Sequence, residues 1–334
     1  LPPRQRLLRS GALTMDRLSD HAAPALDLAA RAALANQPSL PLPGRGQTLE
    51  RWRALAAIAG QDLCLVKVLE AHHDAQAILA DLKAPPLAPD RLAAVWAAEG
   101  PQATLRYDPL TGTVSGHKPW CSGAGLVDVA LVTAQSDAGP VLVRVVADEP
   151  GVEHIPQSWH ATGMARIPSG SVQFNAVPAE LIGTPGAYLE RPGFWHGGAG
   201  IAACWYGAAA ALASPLQRSA RVPGDAQAAA LLGQVDLALQ SAAAMLRALA
   251  VSIDASPAQS HQTDVIRVRS VVERACTTVL DLTARALGPA PMCLDADHAR
   301  RWSDLTVFIR QSHADRDWAE LGRAVHQQEQ PWSL

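Results

Sequence analysis

Five short β-branched runs lie between residues 103 and 178, and nothing helical separates them. They read ATLRYD (Ala103–Asp108), TVSG (Thr113–Gly116), VDVALVTA (Val127–Ala134), PVLVRVVAD (Pro140–Asp148) and GSVQFNAV (Gly170–Val177), split by Gly, Pro and Asp-Pro turns. Parallel neighbours need a crossover of roughly a dozen residues or more, usually a helix, and these gaps leave no room for one in each connection. The block therefore predicts an antiparallel sheet or barrel.

Both flanks are helical. From Thr14 to about Leu82 apolar residues recur three and four apart, most clearly over Thr48–Leu82, with Thr48 as N-cap and Glu50 in the first turn. A Pro/Gly loop, QPSLPLPGRG (Gln37–Gly46), precedes that run, and a stiff linker, KAPPLAPD (Lys83–Asp90), follows it. Beyond Tyr188 the pattern predicts a helix from Phe194 to Ala213 ending before Pro215, a second over Asp225–Ile253, and a third with Asp264 as N-cap and Gly288-Pro289 at its end. Further helical turns fill Ala296–Gln327, broken near Ser312. The fold class is α+β: an N-terminal helical domain (1–85), a middle antiparallel β-barrel-like domain (86–190) and a C-terminal four-helix bundle (191–334).

Composition narrows the chemistry. The 334 residues are 49% hydrophobic, enough for two or three packed units. A net charge of −3 offers no broad basic footprint for nucleic acid or anionic lipid, so neither is an expected partner. The three lysines leave Arg to supply most of the positive charge, which reads as genome composition. The cysteines, at 64, 121, 204, 276 and 293, are odd in number and form no CxxC pair, as reduced thiols of a cytoplasmic protein would be. No uninterrupted apolar run reaches the roughly 18 residues of a membrane span, and Gly198–Leu212 reads as a buried helix. The first residue is Leu1 and no basic-then-apolar leader follows, the pattern of a fragment or processed chain.

Two motifs then stand out. SGHKPWCSGAG (Ser115–Gly125) sets a Trp, a Cys and a Ser on a glycine-rich turn, and GMARIPSGSVQFNAVPAE (Gly163–Glu180) follows some forty residues on. Together, and within the helix–sheet–helix order, they resemble the acyl-CoA dehydrogenase family, whose middle domain carries G-x-K-x-W-I-T-N-G-G and then G-M-R-x-T-x-S-x-x-V-x-F-x-x-V-x-V-P. The resemblance covers almost the whole chain. It implies a homodimeric or homotetrameric FAD enzyme of lipid metabolism that oxidises an acyl-CoA or acyl-carrier thioester and hands electrons to an electron-transfer partner. It places Trp120, Cys121 and Ser122 against the flavin, Trp120 as flat contact and Ser122 as the hydroxyl that bonds the ring.

The chain departs from the family where function is decided. The family's Y-x-x-T-E-P-x-A-G-S-D stretch corresponds to VWAAEGPQATLRYD (Val95–Asp108), with Ala98 near the Thr position and no Gly-Ser-Asp. Its R-x-x-F-G motif is replaced by SPLQRSARVPGD (Ser214–Asp225). Removing the α proton of a thioester needs a base in contact range, yet the family's two Glu positions hold Ser312, with His313 beside it, and Gly197, with His196 beside it. Three alternatives stand: His313 is the catalytic base, Glu320 or Asp315 reaches in, or the reaction is different. SHADRD (Ser312–Asp317) also resembles the His-containing tail of flavin monooxygenases that share the fold, and a scaffold that has lost catalysis is a further alternative.

Other residues carry less. His72, His73 and Asp74 are consecutive on a helix and point in different directions, so no metal site is expected. His196 reads as helix-start packing, and Gly197–Gly200 as close helix contact, near a pyrophosphate in the functional reading. Arg267, Arg269 and Arg274 share a helix and read as solvated charges or a phosphate contact.

Overall fold

The structure, a computed structural model, describes residues 22–100, 102–155, 159–328 and 332. The expected helical stretch from Thr14 to His21 lies outside them. Three helices open the described chain: α1 (Ala22–Asn36), α2 (Thr48–Gln61) and α3 (Leu63–Asp81). The periodic run over Thr48–Leu82 is thus two helices. Asp62 divides them: its extended backbone ends α2, and its carboxylate accepts the N–H groups of Cys64 and Leu65 at the start of α3. Thr48 is the first residue of α2, not its cap, and its hydroxyl donates to Asp254 at 2.6 Å. The Asp254 carboxylate also accepts the N–H groups of Gly46 and Thr48, each at 3.0 Å, so a distant helix caps α2.

Among the described residues eight strands follow: β1 (Ala93–Trp96), β2 (Arg106–Asp108), β3 (Thr113–Lys118), β4 (Val129–Ser136), β5 (Gly139–Val146), β6 (Val152–Ile155), β7 (Ser171–Pro178) and β8 (Glu180–Ile182). They form one sheet in the order β6-β7-β3-β2-β4-β5-β8, with β1 also on β4. Most pairings are antiparallel, as the turn-rich sequence implies, but β4 is parallel to β1 (Ala93↔Val129 to Trp96↔Val132) and touches β2 in parallel at Arg106↔Gln135. Asp128 sets the β1 register: it accepts the Leu92 N–H at 2.7 Å and pairs with Arg31 of α1. The β2–β3 hairpin supplies part of the connection that parallel partners need.

The remaining helices are α4 (Ala187–Glu190), α5 (Gly193–Gln217), α6 (Ala226–Ala255), α7 (Gln262–Leu287), α8 (Ala290–Leu294), α9 (Ala296–Phe308) and α10 (Asp315–His326). Helices α5, α6, α7 and α9 pack as the C-terminal bundle, with α2 laid along α5 and α10 against α7. Pro215 lies inside α5, not beyond it: it falls in the last turn, so only the final helical hydrogen bonds are affected before the helix stops at Gln217. Asp264 sits in the first turn of α7, which begins after His261 at φ +52°, and Gly288 at φ +70° ends it. The expected break near Ser312 separates α9 and its short 3-10 extension from α10.

By length and composition α5 and α6 are each long and apolar enough to cross a membrane, which a count of uninterrupted apolar residues overlooked. Here α5 is a central core helix, and its Gly207 meets the backbone of Ala56 in α2. One apolar cluster runs through Trp52 and Leu55 of α2, Trp96 and Val132 of the sheet, and Trp205, Val272 and Phe308 of the bundle.

Candidate functional site

The turn after β3 is built to a fixed shape. Gly116 has φ +123°, and a Cβ there would fall 2.4 Å from the Thr104 carbonyl oxygen. Trp120 itself takes φ +60°, a conformation that costs a non-glycine residue energy and persists where its surroundings enforce it. Those surroundings can be named. Lys118, 1% exposed, donates to Glu99 and to the Thr133 hydroxyl, both at 2.7 Å, anchoring the end of β3 to the sheet. The Cys121 N–H donates to Gly170 O at 2.8 Å and the Gly123 N–H to Pro168 O at 2.7 Å. Ser169 Oγ donates to Ser122 Oγ at 3.0 Å, so the two motifs some forty residues apart meet in space.

The three residues of the first motif face different ways. Trp120 is 66% exposed, edge-on to Trp159 with ring centroids 6.1 Å apart. Ser122 is half-buried, and its carbonyl accepts the Trp96 indole N–H at 2.9 Å. Cys121 is fully buried and its thiol donates to Lys118 O, which makes it a pin for the turn and leaves it no ligand-facing surface. Burial pushes that thiol up to about 12, so it is no nucleophile. Next to Trp120, Trp159 Nε1 is buried without a partner, as is His154 Nδ1 on β6. An exposed, rigid indole with unmatched ring nitrogens nearby is a fitting seat for a flat heteroaromatic ring.

The second motif joins sheet to bundle. Gly163 lies so close to Ser303 that a Cβ would overlap its carbonyl, and the Met164 N–H donates to buried Asp304 of α9. Burial raises the Asp304 carboxyl despite that bond and nearby Arg166. Arg166 pairs with Asp62, tying the segment to the α2–α3 junction as well.

His313 lies elsewhere, on a cavity of about 680 Å³ enclosed by α3, the α4–α5 corner, α7 and α10. Trp120, Cys121 and Ser122 are not among its lining residues. His313 Nδ1 stands 3.2 Å from Asp317 Oδ1, and the His313 N–H donates to the same carboxylate. Ser312, at the family's Glu position, accepts the Ala314 N–H in a local turn. Of the two alternative carboxylates, Glu320 lines the cavity and bonds Gln262, whereas Asp315 does not line it.

The helix residues resolve differently. His196 is buried with Nε2 2.9 Å from Gln259 O, the packing role the sequence indicated. Arg269 is neither solvated nor free for a phosphate: it donates to Gly198 O and Gln311 O and stacks 4.8 Å from Trp205. Burial pulls its pKa down to about 10. Arg267 pairs with Asp264, and Arg274 stacks 4.0 Å from the Trp318 ring. His72 Nδ1 accepts the Ala93 N–H and His73 meets Gln76, while Asp74 turns to the cavity. Sequence reasoning weighed Asp74 only as a metal ligand. In the structure its Oδ1 is buried without a partner, 2.7 Å from where a Cβ at Gly197 would stand. A glycine facing α3 was the only signal, and it names no partner.

No protein-family model matches the sequence, and no curated protein matches it. Solved structures do match. The dibenzothiophene monooxygenase TdsC from Paenibacillus sp. A11-2 superposes with a TM-score of 0.71 at 19% identity, over 94% of this chain and 97% of its own. Butyryl-CoA dehydrogenase from Megasphaera elsdenii gives 0.76 at 14% identity, over 94% and 93%. KijD3, in complex with FMN and dTDP-3-amino-2,3,6-trideoxy-4-keto-3-methyl-D-glucose, gives 0.71 at 18% identity, over 96% and 94%. With helices, sheet and bundle in matching order over nearly the whole length, the fold of this chain is that of the acyl-CoA dehydrogenases.

Proposed function

We propose that this protein is a flavin-dependent oxidoreductase that holds its flavin ring on the Trp120 shelf and its substrate in the cavity beside His313. The observation that carries the reading is Trp120 itself, a large ring kept 66% exposed by a turn strained at that residue. Leaving such a ring in water gains nothing, and covering it with a flat ligand does. Trp120 and Ser122 would hold the ring, with Lys118 and Cys121 fixing the turn beneath. FAD is the form the resemblance implies. FMN is the better fit to the missing Gly-Ser-Asp and R-x-x-F-G segments, and TdsC and KijD3 have both been solved with FMN. When bound, a flavin supplies two-electron redox chemistry and, once reduced, reactivity toward dioxygen.

Monooxygenation suits the cavity better than thioester oxidation. Its walls carry charged groups, Glu70, Asp74, Arg269 and Asp317 among them, where a fatty acyl chain needs an apolar sleeve. Asp317 orients the His313 ring through Nδ1 and leaves Nε2 free for proton transfer. One oxygen atom would enter the substrate and the other leave as water, the electrons coming from a flavin reductase as partner. Acyl-thioester dehydrogenation is the second reading, favoured by the Asp74 carboxylate pressed against Gly197, where it is available as a base. We further propose that copies of the chain meet through α6, whose outer face exposes Leu237 and Val251.

The test is the visible spectrum after reconstitution with FMN or FAD, followed by two assays. Oxygen-dependent product with a flavin reductase supports monooxygenation. Anaerobic bleaching by an acyl-CoA supports dehydrogenation. A colourless protein that takes up neither flavin refutes both.

A further inference from the structure

The cavity wall contains a mismatch. Among the carboxylates around it, Glu70 is paired with Lys67, Asp317 is engaged by His313, and Glu320 by Gln262. Asp74 has nothing. Its Oδ1 is buried without a hydrogen-bond partner, and no ion pair engages either oxygen among the described residues. The nearby guanidinium groups place their hydrogen bonds elsewhere, Arg269 on Gly198 O and Gln311 O, Arg191 on Asp81 and Arg51 on Pro41 O, although Arg51 still attracts Asp74 through its charge. A buried carboxylate oxygen with no donor is rare in native structures, where buried polar atoms are nearly always bonded. A fold retains one where a ligand supplies the missing donor.

A second group points the same way. Tyr188, 9% exposed, lines the same cavity, and its hydroxyl makes no hydrogen bond among the described residues. Its ring stands edge-to-face with Phe194 at 5.5 Å, and Phe194 does the same with Trp195 at 5.5 Å, so three aromatic rings form one wall. Asp74 lines the same cavity close to Gly197, where a larger residue would displace it. The volume of about 680 Å³ falls in the ordinary range of small-molecule sites and is ample for a ring with substituents.

We propose that the cavity beside His313 receives a ring-containing amine, its ammonium group donating to Asp74 and its ring packed on Tyr188, Phe194 and Trp195. The inference rests on the reading of this cavity as the substrate site of a flavoenzyme, and it names the substrate class. The ammonium supplies the hydrogen-bond donor that Asp74 Oδ1 lacks, and the Tyr188 hydroxyl serves as a further acceptor for its N–H. A thioester brings no such donor at its reacting end.

The experiment is calorimetric titration of the purified protein with benzylamine and, as the uncharged isostere, benzyl alcohol. Benzylamine should bind at least tenfold more tightly, on the order of a charge-assisted hydrogen bond. Asp74→Asn should abolish that preference while leaving benzyl alcohol binding unchanged, and Tyr188→Phe should weaken benzylamine a few-fold. Equal binding of the two probes, a preference that survives in Asp74→Asn, or no binding of either overturns the proposal. Should Asp74→Asn fail to fold, the wild-type preference and Tyr188→Phe still decide it. The colour of the same samples reports the flavin separately. A colourless protein that prefers the amine keeps this inference and removes the flavin. A yellow one that does not prefer it does the reverse.

Discussion

Replacing Gly207 by Ala should cost this protein about 2 kcal/mol, although alanine is the better helix former. The position lies in α5 where it crosses α2, and a Cβ there would stand 2.1 Å from the Ala56 carbonyl oxygen and 2.6 Å from its Cα. Carbon contacts settle near 3.5 Å, so the two helices must part by about 1 Å. Both clashing atoms are backbone, and no side chain can swing away. Overpacking of this kind costs about 1–3 kcal/mol, here at the upper end. Against it stands about 1 kcal/mol gained by removing a glycine from a helix interior. Gly233 provides the control: it is exposed within α6 and a Cβ there meets nothing within 4 Å. Gly233→Ala should therefore stabilise by about 0.5–1 kcal/mol. Urea denaturation with unchanged m-values reads the two midpoints, which should move in opposite directions. A Gly207→Ala midpoint at or above wild type would refute the packing argument, as would two variants that shift alike.

Three further outcomes can be checked. Burial holds His72 and His73 down to about 4, below the ordinary value near 6.5. Stability should then be complete above pH 6.5 and fall as pH drops toward 4, by up to about 1.4 kcal/mol per pH unit per imidazole, and His73→Leu should reduce the slope in denaturation curves taken across that window. Lys118→Met should destabilise by about 1–3 kcal/mol, since it strips the donor from Glu99 and Thr133 beneath the turn, and a urea midpoint unchanged from wild type would contradict that. Trp120→Ala should leave unfolding within about 0.5 kcal/mol of wild type. The same variant should weaken flavin binding roughly three- to tenfold, in line with about 0.5–1.5 kcal/mol of ring packing, as read by flavin fluorescence.

The order of elements was legible because each class has its own period, and the break at Ser312 and the stop at Gly288 were legible because local backbone chemistry sets them. Asp62 is a capping residue type inside an otherwise continuous apolar pattern, and the unbroken periodicity on both sides of it masks the helix boundary it makes. What stayed hidden depends on partners far away in the chain. The parallel β1–β4 pairing turns on Asp128 meeting Leu92, and neither residue names the other. His313 could be placed at the site by its tail motif, whereas Asp74 could not, because its significance lies in what surrounds it and fails to bond it.

The cap that Asp254 places on α2 bears on how the chain comes into being. Residues 46 and 48 receive their acceptors from a carboxylate 208 and 206 positions later. A nascent polypeptide leaving the ribosome has a frayed first turn at α2 until α6 has emerged and docked. Protease cleavage within the 37–48 loop should therefore persist through most of translation and cease only when the bundle closes.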